Sequence, residues 1–260
     1  MLSESERNTV VDALLEANRT KVQTTRPSAL YSHIEIEDSY AISGEVARRT
    51  IESGAELIGY KVGLTSLAMR RSSKIDEPDF GYLYQHYLYP DGATLKRADF
   101  CVPRVELELA FILKDALQGP NISLLDVMRA TEYIVPSIEI IDARVDEPRK
   151  IFDTIADNGA AAGLILGGRP VRPHDVDLRM VPGILYRNAE IEETGISCGV
   201  MGHPGNAVAW LANKLHDIGV QLQAGQILLA GSSVRPVWAE VGDTIRADFG
   251  DLGSVSIYFE

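Results

Sequence analysis

Two stretches of the chain carry acidic side chains where they could act together. In Val102-Pro103-Arg104-Val105-Glu106-Leu107-Glu108-Leu109-Ala110-Phe111-Ile112-Leu113, strict alternation predicts a strand with Glu106 and Glu108 on one face and Val105, Leu107 and Leu109 on the other. Carboxylates placed side by side repel unless they share a proton or a cation, and paired carboxylate oxygens suit hard ions such as Mg²⁺ or Mn²⁺. Alternation alone fits the solvated face of an edge strand equally well. The run from Tyr133 to Asp142 adds a single Glu139 inside an apolar segment that reads as a buried strand. A lone carboxylate there is expensive and needs a cation or strong hydrogen bonds. A third ligand for the ion of Glu106 and Glu108 meets that need and leaves coordination positions for substrate and water. An internal ion pair with Arg104 or Arg144 would also meet it.

Lys61 poses the same question with the opposite sign, since Leu57 to Thr65 sinks one ammonium into an apolar strand. Desolvation would lower its pKa and fit it for proton transfer, whereas an edge-strand lysine would snorkel to solvent. Gly59 and Gly63 point to close backbone approach, to a ligand or for a bend. Asp79 stands in the turn-like Glu77-Pro78-Asp79-Phe80-Gly81-Tyr82, which leaves its role open. Lys150, Asp153, Asp157 and Asn158 fit either a capped helical turn or a functional loop. Gly231-Ser232-Ser233 lacks the lysine and spacing of a phosphate loop, no two of the five histidines have zinc-ligand spacing, and no Gly-x-Ser-x-Gly elbow occurs.

The elements that must position these residues can be read from periodicity. Amphipathic helices are expected over 4–20 and 37–52, further helices over 123–132 and 204–218, and strands near 57–64, 102–113, 133–143, 162–167, 180–187, 226–230, 244–249 and 253–259. Helices are too few for strict βαβ alternation, so the pattern predicts an α+β fold with a mixed or antiparallel sheet. A largely helical N-terminal segment, 1–75, would precede a catalytic β-rich domain, 76–260. The apolar Tyr82-Leu83-Tyr84 and Tyr87-Leu88-Tyr89 could serve a core or an interface.

Composition narrows the function. At 260 residues and 45% hydrophobic the chain can bury a sizeable core, and a net charge of −12 excludes nucleic acid or an anionic membrane as the main partner. Any acidic ligand must then be held by a local cation. Two cysteines, Cys101 and Cys198, with neither an export signal nor a membrane span, lead to the expectation of reduced thiols and a cytoplasmic protein.

Six segments together carry a family resemblance: Lys61-Val62-Gly63-Leu64-Thr65-Ser66, Glu77-Pro78-Asp79-Phe80-Gly81, Pro103 to Ala110, Glu139-Ile140-Ile141-Asp142-Ala143-Arg144, Phe152 to Asn158, and His203-Pro204. Over nearly its full length the chain resembles the meta-cleavage-pathway hydratases of the fumarylacetoacetate hydrolase superfamily, of the 2-oxohept-4-ene-1,7-dioate and 2-hydroxypenta-2,4-dienoate hydratase type. The resemblance implies a mixed β-sheet roll or sandwich with an N-terminal helical segment. It implies Mg²⁺ or Mn²⁺ held by Glu106, Glu108 and Glu139, Lys61 and Asp79 as catalytic groups, and substrate contacts from Lys150, Asp157 and Ser233.

The implied activity is that of a hydro-lyase adding water to a 2-hydroxy-2,4-dienoate, with or without a second carboxylate, to give a 4-hydroxy-2-oxo acid in aromatic-compound catabolism. A homo-oligomer associating with a decarboxylase or aldolase is implied as well. The alternatives are a metal-dependent 4-oxalocrotonate-type decarboxylase and a non-catalytic subunit of a hydratase–decarboxylase complex. The sister decarboxylases typically carry an apolar residue where this chain has Asp79. The loop between Arg144 and Pro148 is shorter than in such hydratases, near where Arg149 and Lys150 could meet a second substrate carboxylate.

Overall fold

The computed structural model describes residues 1–67, 70–71 and 75–260. Three helices lead the chain, α1 (Glu4–Thr20), α2 (Pro27–Leu30) and α3 (Ile36–Glu52), and are followed by β1 (Leu57–Gly63), β2 (Asp79–Tyr84), β3 (Leu88–Tyr89), β4 (Ala93–Leu95) and β5 (Pro103–Leu113). Then come α4 (Leu124–Ala130), β6 (Thr131–Asp142), α5 (Ile151–Ala156), β7 (Ala161–Leu166), β8 (Pro182–Arg187) and β9 (Glu190–Ile196). The chain closes with α6 (Pro204–His216), β10 (Ile227–Ser232), β11 (Val237–Trp238), β12 (Thr244–Asp248) and β13 (Ser254–Phe259).

The strands form two mixed sheets. One runs β2-β1-β10-β5-β6-β7-β3 with β11 attached to β5, and the other runs β4-β13-β12-β8-β9. β1 with β10, β3 with β7 and β4 with β13 are parallel pairs; the remaining pairs are antiparallel. The two sheets share one continuous core in which Leu107, Phe111, Ile138 and Ile140 of the larger sheet join Leu185, Ile245 and Ile257 of the smaller. Each such side chain contributes about 1.5–3 kcal/mol by leaving water, and that core fixes the register of β5 and β6.

The N-terminal helices bring an apolar stripe onto the sheet's flank. Ser3 caps α1 reciprocally with Glu6, and Val10, Val11 and Leu14 pack with Ile42 of α3 and with Val145 and Ala156. Pro27 opens α2 at a position where its missing N–H costs nothing, so a short helix forms there. β1, which the boundary drawn at 75 assigns to the helical segment, is hydrogen-bonded between β2 and β10.

The α+β class expected from the sequence is the one observed. Five strands, β2, β3, β4, β9 and β11, go beyond the eight expected. β3, β4 and β11 are too short for a periodic signal, and β9 is largely exposed and acidic. Leu83, Tyr84 and Tyr87 are core residues packed with Leu164 and Leu229. Cys101 and Cys198 are partly buried free thiols. Among the described residues no helix is long and apolar enough to cross a membrane.

Candidate active site

β5 and β6 place three carboxylates on one face of the larger sheet. Glu106 is the register partner of Glu139, and Glu108 that of Ser137. Because side chains alternate, Val105, Leu107, Leu109, Ile138 and Ile140 point to the core while the acids point away from it. One oxygen from each of Glu106, Glu108 and Glu139 lies within 4.8 Å of the others. This resolves the alternatives left by alternation alone: Glu108 and Glu139 are buried, so the face is not a solvated edge.

The carboxylates are short of partners. Glu108 Oε2 accepts the backbone N–H of Gly231 at 2.7 Å. Glu108 Oε1 and both oxygens of Glu139 accept no hydrogen bond among the described residues. Burial first, and then the charge of Glu139, pushes the pKa of Glu106 up to about 7. Burial, followed by Glu139 and Glu106, holds that of Glu108 well above the usual carboxylate range. Burial likewise raises Glu139, with the Lys61 ammonium opposing it. Oxygens converging from three acids, those of Glu108 and Glu139 largely without partners, are the donor set that a hard divalent cation takes, and one ion would satisfy them together.

Lys61 sits inside the sheet and not on its edge, with only 4% of its surface exposed. Its Nζ donates to Gly159 O at 3.0 Å and lies 3.4 Å from Glu139 Oε1. The ion-pair partner of Glu139 is therefore Lys61; Arg144 pairs with Asp157, and Arg104 lies over the Trp238 ring. Burial lowers the pKa of Lys61, but Glu139, Asp79, Glu106 and Glu108 outweigh it and hold the group above its ordinary value. The direction expected from desolvation alone is thus reversed.

Asp79 opens β2 opposite Gly63 rather than standing in a turn. A Cβ on Gly63 would meet Asp79 Oδ1 at 2.1 Å and Lys61 Nζ at 3.2 Å, so glycine is required where the two functional groups converge. Both Asp79 oxygens are buried without a hydrogen-bond partner among the described residues, and burial raises its pKa against the pull of Lys61.

The acceptor for Lys61 is delivered by an unusual turn. Asn158, Gly159 and Ala160 all adopt left-handed backbone, with φ of 57°, 59° and 58°, a conformation that costs non-glycine residues energy and must be held by its surroundings. Asn158 holds it by accepting from Tyr82 N at 2.7 Å and donating Nδ2 to Tyr82 O at 3.0 Å. Arg144 holds it from the other side. Its backbone N–H donates to Asp157 Oδ2 at 2.7 Å, its Nε to Asp157 Oδ1, its Nη2 to Asp157 O at 2.7 Å and its Nη1 to Ala161 O at 2.9 Å.

Lys61, Asp79 and Glu106 line a cavity of about 220 Å³, together with Thr65, Ser232 and three arginines, Arg104, Arg149 and Arg235. Asp157 also lines it, with its carboxylate taken by Arg144. The structure does not bring Lys150 or Ser233 to this wall. Lys150 is the exposed residue ahead of α5, whose backbone N–H is capped by Asp153, and Ser233 packs toward Gly195. Arg104, Arg235 and Ser232 were not singled out from the sequence as cavity residues. Arg104 alone had a legible signal, the same strand face as Glu106 and Glu108.

No family model matches the chain. The 2-oxo-hept-4-ene-1,7-dioate hydratase of Escherichia coli is 49% identical over 257 residues, which cover 96% of each chain. The structure of 4-oxalocrotonate decarboxylase from Pseudomonas putida G7, complexed with magnesium and adipate, superposes with a TM-score of 0.96 at 30% identity, covering 100% of this chain and 99% of that one. Fumarylpyruvate hydrolase from Pseudomonas aeruginosa, in complex with Mn²⁺ and pyruvate, shares the fold at 16% identity with a TM-score of 0.61 over 77% of this chain and 88% of that one.

Proposed function

Because the chain belongs to the meta-cleavage-pathway hydratase family, which has the fumarylacetoacetate hydrolase fold, we propose that it adds water to a 2-hydroxy-2,4-dienoate carrying a second carboxylate and releases a 4-hydroxy-2-oxo acid. The observation that carries this reading is the convergence of Glu106, Glu108 and Glu139 beside Lys61, with Lys61, Asp79 and Glu106 opening onto one cavity.

Glu106, Glu108 and Glu139 would hold Mg²⁺ or Mn²⁺. When bound, the ion supplies Lewis acidity to the C1 carboxylate and C2 oxygen of the substrate. In the balanced sequence the C2 hydroxyl gives up its proton and C5 gains one, leaving a conjugated 2-oxo-3-enoate. Water then adds its hydroxyl to C4 and its proton to C3. Lys61 Nζ and the Asp79 carboxyl, which meet beside Gly63, are the groups that carry these protons. Gly159 O and Glu139 orient the ammonium between them. Residence in the cytoplasm, assembly with further copies of the chain and association with a decarboxylase or aldolase belong to the same proposal through the family resemblance. Size-exclusion chromatography with light scattering tests the assembly.

The test of activity is loss of dienoate absorbance on adding the purified protein with Mg²⁺. Turnover should stop with a chelator and in Glu106→Gln. Folded Glu106→Gln hydrating at the parent rate in chelator would sink the metal-dependent reading. A second reading, decarboxylation of a 2-oxo-3-enedioate, is favoured by the TM-score of 0.96 to a decarboxylase. Release of CO₂ without hydration product would establish it. Asp79 supports hydration instead.

A further inference from the structure

A chain with a net charge of −12 gathers four cations, Lys61, Arg104, Arg149 and Arg235, on the wall of one cavity. Three of them are already engaged. Lys61 meets Glu139 and Gly159 O, Arg149 pairs with Glu147, and Arg235 pairs with Glu193 while projecting largely into solvent. Arg104 differs: among the described residues its guanidinium makes neither an ion pair nor a hydrogen bond, although the residue is only partly exposed. Its one recorded contact is the ring of Trp238, its register partner on β11, 5.1 Å from the guanidinium carbon. A ring face attracts the charge but offers no oxygen to five N–H donors shaped for a carboxylate.

We propose that Arg104 is the receptor for the distal carboxylate of a dicarboxylate substrate, held against Trp238 with its donors turned to the cavity. The assignment rests on the reading of the site as one for 2-oxo acids. Spacing supports it. Arg104 and Glu106 share a strand face, two residues or roughly 6.7 Å apart, and the six carbon–carbon bonds of a heptanedioate, about 1.5 Å each in a zigzag, reach a comparable span. An acid anchored at the Glu106 end thus brings its far end to Arg104. Arg149, already neutralised by Glu147, adds field but is not the anchor.

The test uses two saturated analogues of equal length, 2-oxoheptanedioate and 2-oxoheptanoate, titrated calorimetrically into the Mg²⁺-loaded protein. The wild type should prefer the diacid on the order of 10- to 100-fold. Arg104→Gln should bring the ratio close to one while leaving the affinity for 2-oxoheptanoate unchanged, which also reports an intact fold and metal site. Arg104→Lys, which keeps charge but not the fork, should give an intermediate ratio. An unchanged ratio in Arg104→Gln, a parallel loss of both affinities, or a collapse only in Arg149→Gln overturns the assignment. So does equal binding of the two acids by the wild type. Binding requires no turnover, so a protein that selects the diacid yet hydrates nothing would refute the hydratase reading and leave Arg104 standing. A wild type that binds neither acid removes the 2-oxo acid reading, and the assignment with it.

Discussion

Glu106 and Glu139 face each other as register partners across β5 and β6, with Glu108 two residues along the same face. In the absence of a cation this arrangement is a like-charge cluster buried beside one ammonium. With a cation it becomes a ligand set, and several measurable properties depend on which of the two states is present.

Neutralising one acid should have opposite effects in the two states. In chelator, Glu108→Gln relieves repulsion and should raise the thermal midpoint by roughly 2–4 °C for each kcal/mol gained. In saturating Mg²⁺ the same change removes a ligand and should lower the midpoint relative to wild type. Differential scanning calorimetry under both conditions decides the matter, and a shift of the same sign in both would show that Glu108 takes no part in holding the ion.

The metal-free protein should become less stable as pH rises through neutrality. Glu106 has its pKa raised from 4.5 to about 7 in the folded state, so between those values the folded protein binds more protons than the unfolded one and stability falls with increasing pH. The contribution is fully present below about 4.5 and lost above about 7. Urea midpoints measured in chelator from pH 4.5 to pH 8 should fall less steeply in Glu106→Gln than in wild type. Identical slopes would count against a raised Glu106.

Asp79→Leu should reduce hydration by roughly 10²- to 10⁴-fold, the usual contribution of a positioned proton carrier, while Mg²⁺-dependent binding of a 2-oxo acid persists. Steady-state rates paired with calorimetry separate the two effects. Turnover within a factor of a few of wild type would remove Asp79 from the chemistry.

Arg144 and Asp157 form a buried ion pair in which each guanidinium nitrogen of Arg144 donates a hydrogen bond. Removing one partner leaves an uncompensated charge, so Arg144→Met or Asp157→Asn should cost about 3–5 kcal/mol of unfolding free energy. The double replacement should recover part of that loss. If each single variant unfolds at the wild-type urea concentration, the pair is not a clamp.

The sequence made the main strands legible because Glu106, Glu108 and Glu139 interrupt apolar runs whose period is otherwise plain. Asp79 was hidden. Pro78 before it and Gly81 after it are turn-forming residues, and only the pairing of Phe80 with Val62 reveals a strand. The turn at Asn158, Gly159 and Ala160 was equally out of reach, because left-handed Ala160 has no local preference for that conformation and is held by contacts from Tyr82 and Arg144, which are remote or belong to another element. Arg104 was readable as a residue of the right face but not as a cation that meets no carboxylate among the described residues. That depends on where Glu147, Glu193 and Trp238 fall in three dimensions.

Strands β5 and β6 alternate between residues that build the core and residues that line the cavity. Inserting a single amino acid upstream of Glu106 within β5 would turn acids into the hydrophobic interior and present leucines to the substrate. Change in this scaffold is therefore channelled: its two central strands cannot drift in length, and diversification toward shorter or longer substrates must come from side-chain exchange at Arg104 or from the connection between Arg144 and Lys150, where residues can be gained or lost without moving a ligand.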